Sequence, residues 1–449
     1  MTQYILTGDE MRAAEAAADC GLSELMERAG AAVAEAVWRY GGGRPTLILC
    51  GPGNNGGDGY VTARLLKARG LDVRVAALRE PRSELGIAAR ARWDGPVETL
   101  AEAEPAPVLV DALFGTGLKR ALEGETVSAL LRLAGAAHFT LAVDLPSGVG
   151  TDDGAALGAI PVDLTLALAC MKPAHLLHPA AGLCGDIRVA DIGVHCPSQV
   201  TVIERPLMKM PGANLHKYKR GYAVIMGGAM AGAAMLSAKA AMPLAGYVAL
   251  VGGKRIGPDA LVSRRWEDVA EDKRVGALLI GPGLGRDEGA RATLDLALAS
   301  AHPLVLDADA LMLVSQDEVR ALQRPAILTP HGGEFAAMFP EATGSKIDRA
   351  RAAALSVNAV VVLKGADTVV AAPDGRVAVS TGAPGWLASA GTGDVLAGIA
   401  VALLSGGMQP FEAACYAVWL HSEAARCVGP GLIADDLPHH LPAAIAACL

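Results

Sequence analysis

Short apolar runs alternate with longer segments of helical periodicity over most of the chain. In the N-terminal part these runs predict strands, and alanine-rich segments with helical spacing, such as residues 126–136, lie between several of them. Continuous apolar strands that alternate with helices are typical of parallel sheets covered on both faces. The predicted strands of this part are residues 46–50, 72–78, 108–113, 139–143, 163–169 and 186–190.

A second alternating series begins at Tyr222 and continues towards the C-terminus. Between the two series the periodicity stops and Pro and Gly interrupt the chain, which is typical of a linker. We therefore predict two three-layer α/β domains, residues 1–198 and 216–449, joined by a linker at residues 199–215. The predicted strands of the second series are residues 222–226, 277–280, 304–306, 326–328, 359–363, 368–372 and 377–380, and the last two flank a hairpin turn at residues 373–375.

Composition excludes several classes of partner. The chain has 449 residues, of which 52% are hydrophobic and 19% charged, with a net charge of -8. Because no Lys/Arg run offers a basic surface, we expect no nucleic-acid partner. The longest strongly apolar helical stretch, residues 395–404, is too short for a bilayer, and the N-terminus lacks a secretory pattern, so we expect no membrane partner. The eight cysteines include no C-x-x-C pair, which indicates reduced thiols in a cytoplasmic protein.

The first predicted strand leads into a glycine-rich loop, C-G-P-G-N-N-G-G-D-G, at residues 50–59. Gly51, Gly53 and Gly56 form G-x-G-x-x-G, a spacing at which backbone amides and a helix N-terminus bind the phosphates of a dinucleotide. Dehydrogenases with this motif carry an acidic residue at the end of the second strand, whereas here Asp72 precedes that strand. This difference disfavours a hydride-transferring enzyme.

Polar residues occur in this loop and at the ends of two later strands. Asn54, Asn55 and Asp58 have two interpretations, since Asn and Asp tolerate left-handed turns and can also bind ligands. Asp111 and Asp144 follow predicted strands and precede loops of small residues. Open α/β sheets bind ligands at such strand ends. The amide-rich loops suit phosphate, and the Asn, Ser and carboxylate oxygens suit a hard cation.

These motifs resemble those of the NAD(P)H-hydrate epimerase family. The resemblance rests on residues 51–59, 111–117, 144–148, 171–173 and 189–193. It implies a Rossmann-like fold and a dinucleotide that is the substrate, because the family interconverts the R and S forms of hydrated NADH and NADPH (NADHX and NADPHX), which carry a hydroxyl on C6 of the nicotinamide ring. It also implies that potassium is bound by Asn55, Asp111 and Ser147. The implied contacts to the hydrate are Asn54, Asn55, Gly56, Gly57, Asp58, Gly115, Thr116, Gly117, Leu118, Lys119, Arg120, Ala121 and Asp144.

Inversion at C6 requires proton transfer, whether the hydroxyl leaves and returns or the ring opens. Asp144, at a strand end, is our candidate acid/base. Lys172 is a weaker candidate, for which a solvated or phosphate-facing position is an equally good interpretation.

The most informative segment of the second domain is A-G-T-G-D at residues 390–394, followed by a helix that is apolar on every side. Such a buried helix places its N-terminal amides in a low-dielectric setting that suits an anion. Asp394 is either an acid that stabilises the helix N-terminus or a base beside an anion site. Phosphoryl transfer needs donors for the phosphoryl oxygens and a carboxylate for the acceptor hydroxyl. Among the loops that follow other strands, His331 is either a structural histidine or a substrate contact.

Together with the loops at residues 281–285, 329–334 and 364–368, this segment resembles the ribokinase-like superfamily, and within it the ADP- or ATP-dependent NAD(P)H-hydrate dehydratases. The resemblance implies phosphorylation of the C6 hydroxyl of the S hydrate, with Asp394 as base, and then loss of phosphate to give NAD(P)H. The chain has Gly332 and Thr392 where the family more often has Pro and Ser. The implied hydrate contacts are Ala233, Gly283, His331 and Asp394. The implied nucleotide contacts are Lys364, Gly365, Ala366, Asp367, Thr368 and Gly393, with Mg²⁺ on the nucleotide phosphates.

We therefore predict a bifunctional repair enzyme, because an epimerase lets both stereoisomers of the damaged coenzyme reach a dehydratase that accepts one. Two alternatives stay open: a vitamin kinase that releases a stable phosphate ester, and a dinucleotide-binding scaffold without turnover. The substrates are expected to be NADHX and NADPHX. By analogy with microbial relatives we expect ADP as the phosphate donor before ATP, and we expect a homo-oligomer.

Overall fold

The structure, a computed structural model, describes residues 3–209, 212, 214–253 and 257–449. The chain divides into two compact units, Met1–Val200 (unit 1) and Thr201–Leu449 (unit 2). Each unit has helices packed on a predominantly parallel sheet. The predicted α/β fold class is thus confirmed.

Unit 1 contains a seven-stranded sheet. Its strands are β1 (Thr46–Cys50), β2 (Val73–Ala77), β3 (Val97–Thr99), β4 (Val108–Ala112), β5 (Phe139–Val143), β6 (Leu164–Leu168) and β7 (Asp186–Ala190). In space they follow the order β3-β2-β1-β4-β5-β6-β7, and every neighbouring pair is parallel. The α-helices are α1 (Gly8–Ala16), α2 (Leu22–Gly41), α3 (Asn54–Ala68), α4 (Glu84–Ala91) and α5 (Gly124–Ala136), with 3₁₀ turns at Pro173–His175 and Ala180–Leu183.

The central strand β1 is apolar throughout because it is buried on both faces. Ile48 and Cys50 belong to the core formed with α2 and α3, whereas Leu47 and Leu49 belong to the core on the opposite face, which includes α5. Successive side chains of a strand point to opposite faces, so this division follows directly from the strand period. The continuous apolar run in the sequence therefore indicates a strand that is covered by helices on both faces of the sheet.

Unit 2 contains a ten-stranded sheet. Its strands are β8 (Val200–Val202), β9 (Tyr222–Met226), β10 (Tyr247–Val251), β11 (Val262–Arg264), β12 (Ala277–Ile280), β13 (Leu304–Leu306), β14 (Ala326–Leu328), β15 (Val360–Leu363), β16 (Val369–Ala371) and β17 (Val377–Val379). Their order is β11-β10-β9-β12-β13-β14-β15-β16-β17-β8. The strands from β11 to β15 are parallel, and the β16–β17 hairpin continues the sheet in antiparallel fashion.

The helices of unit 2 cover both faces of its sheet. They are α6 (Ala231–Ala241), α7 (Glu288–Ala299), α8 (Asp309–Leu313), α9 (Gln316–Arg320), α10 (Gly332–Met338), α11 (Lys346–Val357), α12 (Thr392–Ser405), α13 (Pro410–Val428) and α14 (Leu437–Ala446). Shorter 3₁₀ turns occur at Lys217–Arg220, Trp266–Asp268, Gly385–Leu387 and Ala434–Asp436.

Four strands were not predicted. β3 and β11 are three-residue strands that carry polar residues, so neither shows an apolar run, and β10 is an apolar run that the sequence analysis did not single out. β8 lies in the segment expected to be a linker, residues 199–215, because Val200 and Val202 are buried where this strand joins the sheet beside β17. Residues 210, 211 and 213 of the expected linker lie outside the described part of the chain.

Helix α12 is the most buried helix segment of unit 2 and packs against α6 and α13. At Gly398 the backbone of α12 approaches that of α6, and a Cβ added there would lie 2.2 Å from the carbonyl oxygen of Ser237. A helix that is apolar all round belongs in a protein core when it is short. In the described residues no helix is both long and apolar enough to cross a membrane.

We expect Gly398→Ala to lower the stability of unit 2 by about 1–3 kcal/mol, because the added methyl meets backbone that is unable to rotate away. For a unit of this size, each kcal/mol corresponds to a fall of roughly 2–4 °C in Tm. Differential scanning calorimetry measures it. Gly232→Ala, in the first turn of α6, is the matched control, since its Cβ has no neighbour within 4 Å. An unchanged Tm for Gly398→Ala would contradict the close α12–α6 approach.

Candidate active sites

In unit 1, the loops that follow β1, β4 and β5 meet at the carboxyl edge of the sheet. β1 and β4 are neighbours in space, so the chain leaves them in opposite directions and a crevice opens between their loops. A cavity of about 480 Å³ lies there, and its lining includes Asn54, Asn55, Asp58, Asp144 and Lys172. The structure therefore brings together predicted site residues from three strand ends.

Most of the glycine-rich segment, from Asn54 to Gly59, forms the start of helix α3 and is not a loop. Helix α3 begins at Asn54, directly after Gly53, so Asn54, Asn55 and Asp58 all lie in its first turns. Left-handed backbone is found at other described residues and not at these three, so tolerance of left-handed turns does not explain them. Gly56 is required for packing, because a Cβ there would lie 1.9 Å from the carbonyl oxygen of Gly51.

Asp58 is buried and lines the cavity. Burial raises its pKa well above the usual value for an aspartate, and the charges of Asp144 and Glu15 raise it further. Glu15, from α1, lines the same cavity, and burial raises its pKa as well. Since water and a matching cation are both scarce around Asp58, its neutral, proton-carrying form is favoured.

Asp144 follows β5 directly and is held in place by its backbone as well as its side chain. Its φ is +65°, an unusual left-handed conformation for a residue other than glycine. Its N–H donates to the carbonyl of Leu166 at 2.9 Å. Its Oδ1 accepts from the N–H of Leu168 at 3.0 Å and from the Nζ of Lys172. The carboxylate is thus fixed at the floor of the cavity.

Lys172 is neither solvated nor free to move, which corrects one of the two interpretations of this residue. Its side chain is 1% exposed and pairs with Asp144. Nζ also donates to the carbonyl oxygens of Leu168 at 2.7 Å and Cys170 at 3.1 Å. Three acceptors around one ammonium group, all buried, make the lysine a structural partner of the Asp144 carboxylate.

His175, which the sequence analysis did not single out, connects the two residues of this ion pair. Its Nδ1 accepts from the N–H of Lys172 at 2.8 Å, so its Nε2 carries the proton and donates to the carbonyl oxygen of Asp144 at 2.7 Å. Burial and, after it, the charge of Lys172 lower the pKa of His175 to about 4. The imidazole is therefore neutral, and the hydrogen bond from its Nε2 to the carbonyl oxygen of Asp144 supports the left-handed conformation of Asp144.

Of the three residues expected to bind potassium, Asp111 and Ser147 are buried and hydrogen-bonded to each other, and Asn55 is partly buried. Asp111 accepts from Ser147 Oγ at 2.6 Å and from the N–H of Ser147 at 2.8 Å. Ser147 Oγ accepts from the N–H of Phe114 at 2.8 Å. The Asn55 amide lies against Gly115, where a Cβ would be 3.0 Å from Oδ1, and its Nδ2 is buried without a partner. Burial raises the pKa of Asp111 despite the hydrogen bonds from Ser147.

The remaining predicted contacts of unit 1 fall into three groups. Gly115, Thr116, Gly117 and Leu118 line the cavity. Gly56 and Gly57 pack inside the first turns of α3 and are not among the lining residues. Arg120 and Ala121 line a second, adjoining cavity, and Lys119 is exposed and lines neither.

In unit 2, Asp394 lies in the first turn of α12, after the left-handed Gly391. Burial raises its pKa to about 6, the charge of Asp307 adds to this shift, and the charge of Lys364 opposes it. Its backbone carbonyl accepts from Ser237 Oγ of α6 at 2.8 Å, which fixes the turn. An acid kept at a helix N-terminus only for stability would have its pKa lowered by the helix dipole, whereas here the ionised form is disfavoured.

Lys364, directly after β15, lies close to this turn. Its Nζ donates to Asp307 Oδ1 at 2.8 Å and lies 3.9 Å from Glu334 Oε2. A Cβ added at Gly393 would lie 3.4 Å from this Nζ, so the lysine reaches the turn before Asp394. Asp307 and Glu334 were not predicted as site residues, although Asp307 follows β13 directly, the same signal that identified Asp111 and Asp144.

The loop at residues 364–368 is internally braced. Thr368 Oγ1 accepts from the N–H of Gly365 at 3.2 Å and donates to its carbonyl at 2.8 Å. Asp367 pairs with Lys346 at the start of α11, a second lysine that the sequence analysis did not single out. Ala366 lies between Gly365 and Asp367 in the chain, and its carbonyl oxygen accepts from the N–H of Ala383. The loop thus has a fixed shape, with Lys364 at its start and Lys346 of α11 paired to it.

Apart from Asp394, the predicted hydrate contacts of unit 2 lie at two positions: Gly283 packs against Ala233, and His331 lies at the start of α10. Gly283 has a φ of +63° and packs against Ala233, since its Cβ would lie 3.0 Å from the Cβ of Ala233. His331 caps the short helix α10, and its Nδ1 accepts from the N–H groups of Gly333 at 3.0 Å and Glu334 at 3.2 Å. The histidine side chain is 61% exposed, so Nε2 is open to solvent and to ligands, 3.4 Å from Glu334 Oε1.

Comparison with known proteins identifies both halves of the chain. Residues 22–174 match the family described as YjeF-related protein N-terminus, and residues 223–445 match the NAD(P)H-hydrate dehydratase family. Each match covers most of one structural unit and its strand-end residues. The resemblances found in the sequence are confirmed by these matches.

Relatives with both halves are similar over nearly their whole length. The bifunctional NAD(P)H-hydrate repair enzyme Nnr of Thermofilum pendens is 34% identical, with 96% of this chain and 94% of that protein covered. The enzyme of the same name from Escherichia coli is 35% identical, with 94% and 90% covered. A crystal structure of the ADP/ATP-dependent NAD(P)H-hydrate dehydratase from Bacillus subtilis is 30% identical, with 54% of this chain and 95% of that chain covered and a TM-score of 0.49. The chain belongs to the family of bifunctional NAD(P)H-hydrate repair enzymes.

Proposed function

We propose that unit 1 interconverts the R and S forms of NADHX and NADPHX and that unit 2 dehydrates the S form at the expense of ADP or ATP. One observation carries the proposal in both units. At the strand ends, a lysine–aspartate pair, buried in unit 1 and partly buried in unit 2, lies beside a second carboxyl group whose pKa is raised by burial. Carboxyl groups with different protonation in one site are suited to proton transfer near neutral pH.

For the epimerase, we assign the proton transfer to Asp58 in place of Asp144, the acid/base candidate from the sequence, because Lys172 holds the Asp144 carboxylate in an ion pair. C6 of the hydrate is bonded to the ring nitrogen, so loss of the C6 hydroxyl leaves an iminium cation. Asp58, whose neutral form is favoured by burial, gives its proton to the departing hydroxyl, which leaves as water. The Asp144 carboxylate, held by Lys172, stabilises the cation. Water then adds to the other face of C6 and returns the proton to Asp58.

Potassium fits the buried oxygens beside this site. Turning the Asn55 amide about its last bond places Oδ1 where the unpartnered Nδ2 stands, and amide orientation is exchangeable in this way. Asn55, Asp111 and Ser147 would then present an amide, a carboxylate and a hydroxyl oxygen, which is the donor set of a hard cation. When bound, potassium supplies positive charge that favours the ionised form of Asp111 and fixes the segment from Phe114 to Gly115.

For the dehydratase, Asp394 accepts the proton of the C6 hydroxyl as that oxygen takes up the phosphoryl group. Phosphorylation converts a poor leaving group into a good one, and loss of phosphate regenerates the reduced ring. Lys364 and the amides from Thr392 to Asp394 lie where phosphate oxygens would be neutralised. Mg²⁺ supplies charge neutralisation on the nucleotide phosphates when bound. We propose ADP as the preferred donor, and the homo-oligomer stays a prediction of the sequence.

The two activities suit one chain, because epimerisation allows the whole pool of damaged coenzyme to pass through a stereospecific dehydratase. Full-length similarity to bifunctional repair enzymes supports this assignment over a vitamin kinase or a scaffold.

Asp58→Asn and Asp144→Asn are each expected to lower the rate of R-to-S epimerisation by about 10²–10⁴-fold, because each removes a group that transfers or balances charge at C6. The assay follows the two hydrates by chromatography without nucleotide. Dehydration of the S hydrate by the same protein is the internal control for protein concentration and for the folding of unit 2, and circular dichroism of the variants checks the folding of unit 1. Asp94→Asn, an exposed aspartate paired with Lys67, is the matched control. Unchanged epimerisation in both variants would contradict the assignment.

Replacing potassium by sodium is expected to slow epimerisation and to leave dehydration of the S hydrate in unit 2 unaffected at fixed Mg²⁺. Ser147→Ala removes one proposed ligand, so the potassium concentration for half-maximal epimerisation should rise about tenfold, equivalent to ~1.4 kcal/mol. Initial rates across a potassium titration measure this shift. An epimerase rate that is the same in potassium, sodium and choline buffers would refute the site.

The dehydratase rate should follow the ionisation of Asp394. A base is active when ionised, so with a pKa of about 6 the rate should rise with pH below that value and level off above it. The slope expected on the acid side is about tenfold per pH unit. Stopped-time assays of NAD(P)H formation from the S hydrate with ADP and with ATP give the profile.

Asp394→Asn should lose this activity by about 10²–10⁴-fold while retaining epimerisation by unit 1. Asp295→Asn, on the exposed face of α7, is its control. A stable phosphate ester accumulating in place of NAD(P)H would instead indicate the vitamin-kinase type of reaction.

A further inference from the structure

A second cavity adjoins the proposed epimerase site in unit 1. It measures about 230 Å³ and shares Pro52, Phe114 and Leu118 with the larger cavity. Its remaining lining comes from the segment after β2 and from the segment that leads into α5, and it includes Leu78, Arg79, Arg82, Arg120 and Leu122. A ligand with one end beside Asp144 therefore reaches the second cavity by passing Pro52.

The cavity carries an excess of positive charge. Arg79 pairs with Glu123 at 3.0 Å, which joins the β2 loop to the start of α5. Arg82 and Arg120 form no ion pair with any residue that the structure describes. Both are exposed at the cavity, and Arg82 is fixed at its backbone, where its N–H donates to the carbonyl of Pro52 at 2.8 Å. Two unpaired guanidinium groups at one cavity are suited to a phosphate.

The position of these arginines in the fold corresponds to the adenosine end of a bound dinucleotide. In sheets of this strand order, the residue after the second strand contacts the 2′ position of the adenosine ribose. A carboxylate there binds a 2′-hydroxyl, whereas an arginine accommodates a 2′-phosphate. β2 ends at Ala77 and is followed by Arg79, Glu80 and Arg82, of which only the two arginines line the cavity. Asp72 precedes the strand. The catalytic carboxyls lie on the other side, after β5 and in α3, where the nicotinamide end belongs.

The apolar lining suits the rest of the adenosine. Leu78, Phe114, Leu118 and Leu122 contribute side chains to the same cavity. An adenine ring against apolar side chains with a guanidinium nearby is a common arrangement in nucleotide sites, because the ring is desolvated on one face and stacks on the arginine.

We infer that the second cavity binds the 2′-phosphorylated adenosine end of the substrate, with Arg82 and Arg120 on the phosphate, so that unit 1 epimerises NADPHX in preference to NADHX. This inference rests on the proposed epimerase function and adds its substrate preference. Arg120 belongs to the loop expected to contact the hydrate, whereas Arg79 and Arg82 are additional to it.

The test compares kcat/KM for epimerisation of NADPHX and NADHX by the full-length protein without added nucleotide, so that the dehydratase is idle. The wild type should favour NADPHX. Arg82→Ala should lower kcat/KM for NADPHX by about 10–100-fold, mostly through KM, as expected for the loss of one charged hydrogen bond. NADHX should change by no more than about twofold. Arg82→Lys should recover part of the preference, since the charge is retained without the planar fork.

Arg39→Ala is the matched control, because Arg39 is an exposed arginine of α2 that pairs with Glu35 and lies about three helical turns beyond the cavity-lining Ala29. It should alter neither hydrate. Equal kcat/KM for the two hydrates in the wild type, or equal losses for both in Arg82→Ala, would overturn the inference while leaving the epimerase itself intact.

A binding measurement separates this inference from failure of the epimerase proposal. Isothermal titration with adenosine 2′,5′-bisphosphate and with AMP should show tighter binding of the bisphosphate to the wild type than to Arg82→Ala, with AMP the same for both. The difference between the two proteins cancels any binding in unit 2. If neither hydrate is epimerised but this difference is found, the cavity is a 2′-phosphate site and the catalytic proposal is wrong. If the difference is absent, the cavity proposal is wrong.

Discussion

Both units depend on the fact that parallel strands release their polar loops at one edge of the sheet. β1, β4 and β5 in unit 1, and β13, β14 and β15 in unit 2, all end at such an edge and each is followed by reactive side chains. Helices begin at the same edge, so their free N–H groups add positive partial charge there. Strands that are buried on both faces fix these positions, and the loops supply the chemistry without disturbing the core.

Some of the carboxylates at this edge of each sheet are neutralised by ion pairs with lysines. At this edge Lys172 pairs with Asp144 in unit 1, and Lys364 pairs with Asp307 in unit 2, where Lys346 also pairs with Asp367. A buried ion pair adds little to stability, because the loss of hydration offsets the attraction. Its effect is chemical. The pairs neutralise Asp144, Asp307 and Asp367, whereas Asp58, Asp111 and Asp394, which form no ion pair among the described residues, have pKa values raised by burial.

Much of the fold could be predicted because most buried strands show as apolar runs, whereas among the edge strands β3, β7, β8 and β11 only β7 was predicted. β1, β5, β7, β9 and the β12 to β14 series have the predicted bounds, whereas three-residue strands such as β3 and β11 carry Glu, Thr, Ser or Arg and give no periodic signal. The strand-end rule identified Asp111 and Asp144 and, applied to β13, would have found Asp307.

Other features of the sites depend on contacts between residues distant in sequence. Asp144 and Lys172 are 28 positions apart, and the ammonium group is buried only because three acceptors from two loops surround it. A lysine in a sequence gives no sign of such surroundings. His175 is similar, since its role depends on the backbone carbonyl of Asp144. Motif resemblance located these segments but not the contacts inside them.

The left-handed Asp144 has a consequence for how this site can diverge. Its N–H donates to the carbonyl of Leu166, its carboxylate accepts from Leu168 and Lys172, and its carbonyl accepts from His175. Replacing Asp144 alone would leave a buried ammonium without a counter-charge, and replacing Lys172 alone would leave the carboxylate in the same state. The effects of substitutions at Asp144 and Lys172 are therefore expected to be non-additive. Homologues that have lost epimerisation should carry substitutions at both positions, and a homologue with only one of the two substitutions should be an evolutionary intermediate.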